Sequence, residues 1–388
     1  MTFLDFKNCL ALIMFYHKKI IVVIALVLLA GTSFCQVDSL PSKKRKSSYL
    51  DTNYVVRYKD RLVVSLYQST RNYKFDMSPI GLKDSSGADL IKYSTNSNLG
   101  TGIGFDYDKI SFSIGRSTPG TEKEIRQKGK TSSFNLAFSL NGKRHRIETF
   151  YRSYMGFYDS NYGKFGYQAN DTNIIHYQNP RMSVKEFRTK FFWYFNKKRR
   201  FSYAAAYSNT QRQLKSAGTF LVAANVYGLV VKSDTGLIPY PSRPFYPESP
   251  DLIRVRSIGF SFKPGFSYNL VLFKRLFANV TFLWGPELQF RKFSDTDRGD
   301  KKSAAFGFSE AEFRGSIGYN GKYLYFYYFL MSDLNRISTK TIFIDKTLIY
   351  QGGVIGYRFK FNNKFSKWLQ ANKYYNIDRK STRLNSSH

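Results

Sequence analysis

The chain has 388 residues, and Phe and Tyr raise its aromatic content to 18%, although its mean hydropathy is negative. A soluble globular protein would bury fewer aromatic residues, whereas a membrane β-barrel carries aromatic girdles outside and keeps every second residue polar. The formal net charge is +33, spread over predicted strands and turns without a compact basic patch. Composition therefore argues against a soluble globule, and the predicted strands argue against a nucleic-acid-binding protein.

Residues 1–35 are predicted to be a secretory signal peptide. Lys18 and Lys19 precede an apolar run that is too short to span a membrane as a helix. Ser33 and Cys35 occupy the positions before a suitable cleavage site. An uncleaved membrane anchor and a lipoprotein are the alternatives.

Four further segments follow in chain order. Residues 36–50 are predicted to be a basic periplasmic linker, residues 51–361 an outer-membrane β-barrel and residues 362–377 a tail. Residues 378–388 match the translation of a common sequencing adapter and are excluded from the fold.

The clearest strand pair spans residues 131–154 and turns at Asn141-Gly142, a strong signal for a two-residue hairpin. Each arm has about ten residues, the length that crosses a bilayer at a tilt of about 45°. One arm carries arginines opposite its apolar face, as expected for lipid outside and a wet lumen inside. The lipid-facing residues of the first arm are predicted to be Phe134, Leu136 and Phe138.

The same alternation predicts further strands on both sides of this hairpin. Their ranges are 61–69, 99–106, 110–115, 186–195, 201–207, 258–270, 276–289, 304–319, 323–330 and 349–361. The glycines at 100–104 do not form a dinucleotide fingerprint, because no helix follows them. They are expected to relieve crowding or allow curvature on an inward face.

Turn lengths predict an all-β fold, a closed antiparallel transmembrane β-barrel of about 12 strands. Tight turns near residues 108, 141, 197, 274 and 321 alternate with long connections at 70–95, 118–130, 157–181, 213–252, 293–303 and 335–348. Short turns face the periplasm in such barrels, so both ends of the barrel segment are expected there. The strand-like run 219–231 lies inside a predicted connection, and 14 strands is the alternative count.

Charged residues fall on the predicted inward faces of several strands. They are Arg144, Arg146, Glu148, Arg152, Glu186, Arg188, Lys190, Glu287, Arg291, Glu310, Glu312 and Arg314. Buried charges must be paired or solvated, so we interpret them first as a salt-bridged filling of the lumen. The alternative is an anion-selective or ligand-binding lumen, because rings of charge determine selectivity.

Four segments resemble a known family. They are RLVVSLY at 61–67, NKKRRFSY at 196–203, KSAGTFL at 215–221 and GYRFKF at 356–361. Over about residues 50–361 the chain resembles an uncharacterised outer-membrane family of Gram-negative bacteria, domain of unknown function 4421. The resemblance implies an outer-membrane β-barrel and supplies neither a substrate nor catalytic residues. Tyr357, Phe359 and Phe361 also resemble the aromatic signal that barrel-assembly machinery reads.

The function predicted from the sequence is that of a non-enzymatic, porin-like barrel with a mostly filled lumen and long external loops that recognise an unidentified ligand. An anion-selective pore or transport channel is the alternative. A membrane-embedded lipid-modifying enzyme ranks last, because His145 is expected to face lipid and His176 lies in an external loop. Expected partners are outer-membrane lipid, lipopolysaccharide and the barrel-assembly machinery. No nucleic acid, metal or other cofactor is expected, and no catalytic residue.

Overall fold

A computed structural model describes residues 50–81, 89–96, 99–118, 120–142, 144–161, 175–296, 299–338, 342–361 and 363–371. All of them belong to the unit Tyr49–His388. The predicted signal peptide, residues 36–49 of the linker and residues 378–388 lie outside the described residues. No helix in the described ranges is long and apolar enough to cross a membrane.

The described chain is mostly β-structure. Its strands are β1 (Val55–Arg57), β2 (Arg61–Pro79), β3 (Ile91–Ser94), β4 (Leu99–Tyr107), β5 (Ile110–Ser117), β6 (Ser132–Asn141), β7 (His145–Asp159), β8 (Tyr177–Tyr194), β9 (Gln211–Gln213), β10 (Ala217–Lys232), β11 (Leu252–Leu272), β12 (Leu276–Asp295), β13 (Gly299–Asn320), β14 (Leu324–Ser338) and β15 (Ile342–Lys360). The helices are α1 (Glu122–Lys128), α2 (Ala204–Tyr207), a 3-10 helix (Tyr240–Phe245) and α3 (Lys364–Ala371).

Twelve antiparallel strands close into a ring in the order β2, β4, β5, β6, β7, β8, β10, β11, β12, β13, β14 and β15. The last strand pairs with the first along its whole length, from Ile342 opposite Pro79 to Lys360 opposite Arg61. Closure pairs the backbone groups of both edges, which a bilayer would otherwise leave unsatisfied. The prediction of a closed antiparallel barrel with 12 strands is confirmed, and the alternative of 14 strands is wrong.

The predicted tight turns near residues 108, 141, 274 and 321 lie at one end of the ring, which we call the short-turn end. The predicted tight turn near 197 is wrong, because residues 195–216 form a longer connection between β8 and β10 at the same end. The other end, which we call the long-connection end, carries the connections between β2 and β4, β5 and β6, β7 and β8, and β10 and β11. Two predicted long connections, at 293–303 and 335–348, are wrong. Strand β12 continues to Asp295 and β13 begins at Gly299, while β14 and β15 extend to Ser338 and from Ile342.

The polarity of the wall inverts along the strands. In the half of β2 nearer the short-turn end, Leu66 faces outward while Ser65 and Ser69 are buried inside. Further along, Tyr73, Phe75 and Met77 are buried inside, while Lys74 and Asp76 lie on the outer face. Apolar residues face lipid within the bilayer and face the interior beyond it, so the strands extend past the membrane at the long-connection end.

Strands β4, β5 and β6 present small residues to the lumen. Their inward positions are Gly100, Gly102, Gly104, Ser111, Ser113, Gly115, Ser117, Ser133, Asn135, Ala137 and Ser139. A Cβ atom on Gly102 would lie 2.0 Å from the ring of Tyr67, so glycine makes room for this aromatic side chain. The glycine-rich stretch therefore relieves crowding, as expected from the sequence.

The predicted strand at 201–207 is wrong. Residues 195–216, which we call the plug, fold at the short-turn end and contain α2 and β9, and most of their side chains from Phe201 to Gln213 are buried. The wall strand is instead β10, which contains the run 219–231 and pairs with β8 and β11. Within the plug, β9 pairs with β1 in a separate two-stranded sheet. The short strand β3 pairs with β2 and β7 at the long-connection end.

The predicted tail begins with α3, an eight-residue helix that follows the last wall strand. The side chain of Asn363 accepts a hydrogen bond from the Ser366 N–H at 2.9 Å, which is the usual N-terminal cap. Leu369 is buried and Trp368 is exposed.

The facing of β6 gives a direct test of the barrel. Phe134 and Phe138 are exposed on the outer surface and Asn135 is buried on the lumenal side, with Leu136 on the same face as the phenylalanines. Leu136→Arg should lower the free energy of unfolding by about 2–4 kcal/mol, because it puts a charge in lipid. Asn135→Arg should cost much less. Urea titration of the protein folded in vesicles measures both, and equal costs would contradict this facing.

Candidate lumenal site

Charged side chains from six wall strands meet inside the barrel, because every second residue of a strand faces the lumen. We call this group the ion-pair cluster. Its members are Arg146, Glu148, Arg152, Glu186, Arg188, Lys190, Lys263, Glu310, Glu312, Arg314, Asp333 and Lys346.

Two carboxylates of β13 form the centre of the cluster. Lys263 Nζ lies 3.1 Å from an oxygen of Glu310 and 3.1 Å from an oxygen of Glu312. Arg188 donates to Glu310, and Lys190 Nζ lies 2.8 Å from Glu312. These five side chains are at most 2% exposed, so they hold one another in a site from which water is largely excluded.

Arg314 joins the cluster to the plug. Its Nη1 and Nη2 donate to the two oxygens of Glu148 at 3.0 and 2.8 Å, the bidentate geometry that favours Arg over Lys. Nη1 also donates to the Tyr203 hydroxyl at 2.9 Å. Arg146 Nε donates to the same carboxylate, Glu148, at 2.6 Å. The wall and the plug are thus fixed through one guanidinium.

The cluster continues toward the long-connection end. Arg152 Nη1 donates to Asp333 at 3.2 Å, and Lys346 Nζ donates to Glu186 at 3.2 Å. Arg188 Nε donates to Glu186 at 2.8 Å. Seven cations therefore surround five carboxylates, and each carboxylate has at least two cationic neighbours. This satisfies the requirement that buried charges be paired.

Nine of the predicted lumen charges belong to the cluster, and three lie elsewhere. Arg144 is in the turn before β7. Glu287 accepts hydrogen bonds from Gln289 at 2.7 Å and Asn335 at 2.6 Å on the inner wall. Arg291 is buried further along β12.

Sequence reasoning missed Lys263, Asp333 and Lys346. Lys263 occupies the inward position of an alternating strand, after the buried Ser257, Gly259 and Ser261, and that alternation could have identified it. Asp333 and Lys346 lie in β14 and β15, whereas the alternation predicts strands only at 323–330 and 349–361 and a connection at 335–348.

A cavity of about 210 Å³ lies between the ion-pair cluster and the wall of small residues. Its lining includes Asp106, Asn135, Arg146, Arg152, Tyr207 and Arg314. The volume has room for on the order of ten water molecules. The small side chains of β4, β5 and β6 leave this space, and three arginines border it.

The plug is held by polar side chains of the wall. Asn269 Nδ2 donates to the backbone oxygen of Ser202 at 2.8 Å, and Asn320 Nδ2 donates to that of Ala205 at 3.0 Å. Arg358 Nε donates to the oxygen of Asn209 at 2.8 Å. These bonds satisfy plug backbone groups that no sheet pairs, and they tie the plug to three separate strands.

The connection 233–251 folds inward over the long-connection end. Leu237, Ile238 and Tyr246 are buried in an apolar cluster with residues such as Phe75 and Val231, which we call the mouth core. The Tyr246 hydroxyl lies 3.0 Å from the oxygen of Met77 and 2.7 Å from that of Asp89, and can donate to either. Burial raises the pKa of Tyr246, so it stays neutral at physiological pH.

His145 and His176, the histidines of the predicted barrel segment, lie outside the ion-pair cluster. His145 stacks near Phe191 and Trp193 on the outer face, with ring centroids 6.1 and 6.5 Å away. His176 lies in a connection, 5.2 Å from the ring of Tyr158, and burial, followed by nearby Lys128, lowers its pKa. Asp171, which lies near His176 in the sequence, is outside the described residues. Over the described ranges, no group of three His, Cys, Asp or Glu is placed to hold a metal ion.

The closing aromatic residues are on the last strand and just after it. Tyr357 and Phe359 are exposed on the outer face. Phe361 follows β15, and its ring centroid lies 5.4 Å from that of Tyr107. Recognition by barrel-assembly machinery remains a prediction.

Comparisons with known proteins identify a family and several similar barrels. The family profile described as "Domain of unknown function (DUF4421)" matches residues 49–359, and no curated protein matches the chain. An outer-membrane channel from Pseudomonas putida F1 is similar at 8% identity and a TM-score of 0.32, over 80% of this chain and 99% of that one.

Two further solved structures are similar to the same extent. The β domain of the Bordetella autotransporter Brka matches at 11% identity, over 76% of this chain and 100% of that one, with a TM-score of 0.33. The P. putida toluene transporter TodX matches at 8% identity, over 78% and 91%, with a TM-score of 0.26. Similarities this weak carry no information about function. The closed ring and its apolar outer belt make the protein an outer-membrane β-barrel.

The cluster can be tested with two lysines on neighbouring strands. Lys263→Met should lower the free energy of unfolding by about 3–5 kcal/mol, because it leaves two buried carboxylates short of a cation. Lys292→Met removes an exposed partner of Asp300 at 2.5 Å and should cost under about 1 kcal/mol. Urea unfolding in vesicles measures both. A loss at Lys263 no larger than that at Lys292 would show that the cluster does not stabilise the barrel.

Proposed function

This chain belongs to the family described as Domain of unknown function (DUF4421), and we propose that it acts as a non-enzymatic outer-membrane barrel with a closed lumen. Recognition of its ligand takes place on the long-connection end.

The observation that carries the proposal is the series of three layers across the lumen. The plug fills the short-turn end, the ion-pair cluster crosses the middle, and the mouth core fills the other end. The hydrogen bond from Arg314 to Tyr203 joins the first two layers. A solute on a straight path would have to displace all three.

The chemistry of the cluster supports a non-enzymatic role. A general acid or base must exchange a proton with its substrate, whereas the central carboxylates Glu310 and Glu312 are buried and held by several cations. The charges of carboxylates held in this way are balanced by fixed neighbouring cations. Such carboxylates suit a structural filling better than proton transfer.

Recognition on the long-connection end is supported by exposed groups there. The side chain of Tyr240 is 81% exposed, and its ring centroid lies 5.7 Å from Cζ of Arg243. Arg243 Nη1 lies 2.7 Å from Oδ1 of Asp251. Loops on a rigid scaffold are the usual place for binding. The expectation that all of 213–252 is a recognition loop is wrong, because 217–232 is wall strand. Part of 157–181 lies outside the described residues.

Passage of small anions is the second candidate. It is favoured by the cavity beside the wall of small residues, which is bordered by Arg146, Arg152 and Arg314. Cationic side chains along a pore favour anions. Under this alternative the plug and the mouth core would be gates that open.

Planar-bilayer conductance of the purified protein distinguishes the two. With a closed lumen, the wild type passes no steady current. A combined variant carries Asn320→Ala and Arg358→Ala, which loosen the plug, and a short Gly-Ser linker in place of residues 234–250. The cavity beside the ion-pair cluster is then the remaining path for small ions, so this variant should conduct. The matched variant with Lys322→Ala and Lys360→Ala, on the same turn and strand, should stay silent.

One result would overturn the closed-lumen proposal. This is a steady, anion-selective current through the wild type that falls when Arg146 and Arg152 are changed to Glu. Heat-modifiable migration on gels shows in every case that the barrel is folded.

A further inference from the structure

The short-turn end carries a strong excess of positive charge. The described cations there are Arg57, Lys59, Arg61, Lys109, Arg144, Lys197, Lys198, Arg199, Arg200, Arg212, Lys215, Lys274, Arg275, Lys322, Arg358, Lys360, Lys364 and Lys367. The carboxylates described in the same turns, plug and flanking segments are Asp51, Asp60, Asp106 and Asp108, and Asp106 lies level with the buried Arg358. The expectation that the positive charge forms no patch is therefore wrong, because folding gathers residues from separate turns at one end.

The described cations of this end far outnumber its described carboxylates, so pairing with these carboxylates leaves a net positive charge. Asp108 is buried and pairs with Arg57, and Asp51 lies 3.7 Å from Arg200. By contrast, exposed cations at the long-connection end have acidic partners on the same surface. Their ion pairs are Lys232–Asp234 at 2.7 Å, Arg243–Asp251 at 2.7 Å, Lys292–Asp300 at 2.5 Å and Arg336–Asp345 at 2.6 Å.

Exposed apolar side chains lie beside the cations of the short-turn end. Phe273 is 86% exposed at the tip between β11 and β12, next to Lys274 in the chain. Tyr323 follows Lys322, and Phe359 precedes Lys360, and both aromatic side chains are exposed. In α3, the exposed Trp368 follows Lys367. Aromatic rings beside Lys and Arg are typical of the interface between hydrocarbon and headgroups.

We propose that the rim of the short-turn end binds the anionic headgroups of inner-leaflet phospholipids such as phosphatidylglycerol. The lysines at the turns contact the phosphates, and the adjacent aromatic side chains enter the edge of the acyl layer. A soluble acidic partner would explain the charge but not the exposed Phe273 and Trp368. The proposal is independent of whether the lumen is closed, and it assigns this end to the periplasmic side, as the short turns predict.

Lipid selectivity can be measured from the tryptophans, because Trp193 and Trp368 are exposed at this end. The protein carrying Trp284→Phe is reconstituted in mixed vesicles, and brominated phosphatidylglycerol is compared with brominated phosphatidylcholine as a quencher. Phosphatidylglycerol should bind at least about fivefold more strongly at low salt, the factor expected for one lysine near each headgroup. The preference should decrease toward unity at high salt, because the interaction is screened.

Matched variants show which residues cause the preference for phosphatidylglycerol. Lys274→Gln, Lys322→Gln and Lys360→Gln together should abolish it. Lys123→Gln, Lys130→Gln and Lys302→Gln, which remove the same charge from exposed positions at the other end, should leave it unchanged.

Several outcomes would overturn the proposal. One is equal quenching by the two lipids in the wild type, and another is a preference that survives the rim variant. A stronger preference for vesicles containing lipid A, lost in the rim variant, would place this rim in the outer leaflet instead. Salt-sensitive binding of soluble polyglutamate without any phosphatidylglycerol preference would assign the surface to an acidic protein.

Discussion

The pairing of β15 with β2 is the interaction on which the rest of the structure depends. A bilayer offers no hydrogen bonds to an open strand edge, so the sheet must close on itself. Closure along the full length of both strands determines, for all the remaining strands of the ring, which residues face lipid and which face the lumen. It thereby brings Glu148, Arg188, Lys263 and Glu310, which are far apart in sequence, into one enclosed space.

That space is shared unequally between the two sides of the ring. Strands β4, β5 and β6 contribute small side chains, whereas β8, β11 and β13 contribute charges that reach across the lumen. The small residues accommodate large neighbours, as Gly102 does for Tyr67, and leave a cavity beside the charges. In the plug, the Tyr203 hydroxyl accepts a hydrogen bond from Arg314 of the cluster.

The inversion of polarity along the strands separates two environments within one sheet. Inside the bilayer the interior is polar and the exterior apolar, while beyond it the same strands enclose the mouth core. A wall that leaves the membrane faces water outside and can bury apolar residues inside, like a soluble barrel. The connection 233–251 completes that core with Leu237, Ile238 and Tyr246.

The sequence by itself determined the closed antiparallel barrel and the facing of most strands, because alternation has a period of two and turn residues act locally. Its count of about 12 strands agrees with the ring, although the count included 201–207 in place of β10. The sequence also identified nine of the twelve charges of the cluster. It predicted 201–207 as the wall strand and placed 219–231 in a connection, because 201–207 alternates directly after a turn-like run. Only the tertiary structure decided which of the two is the wall strand, since β10 finds partners along both edges and the plug segment is satisfied by side chains such as Asn320. The tertiary structure also gathered the cations at one end, because turns distant in the chain meet only when the ring closes.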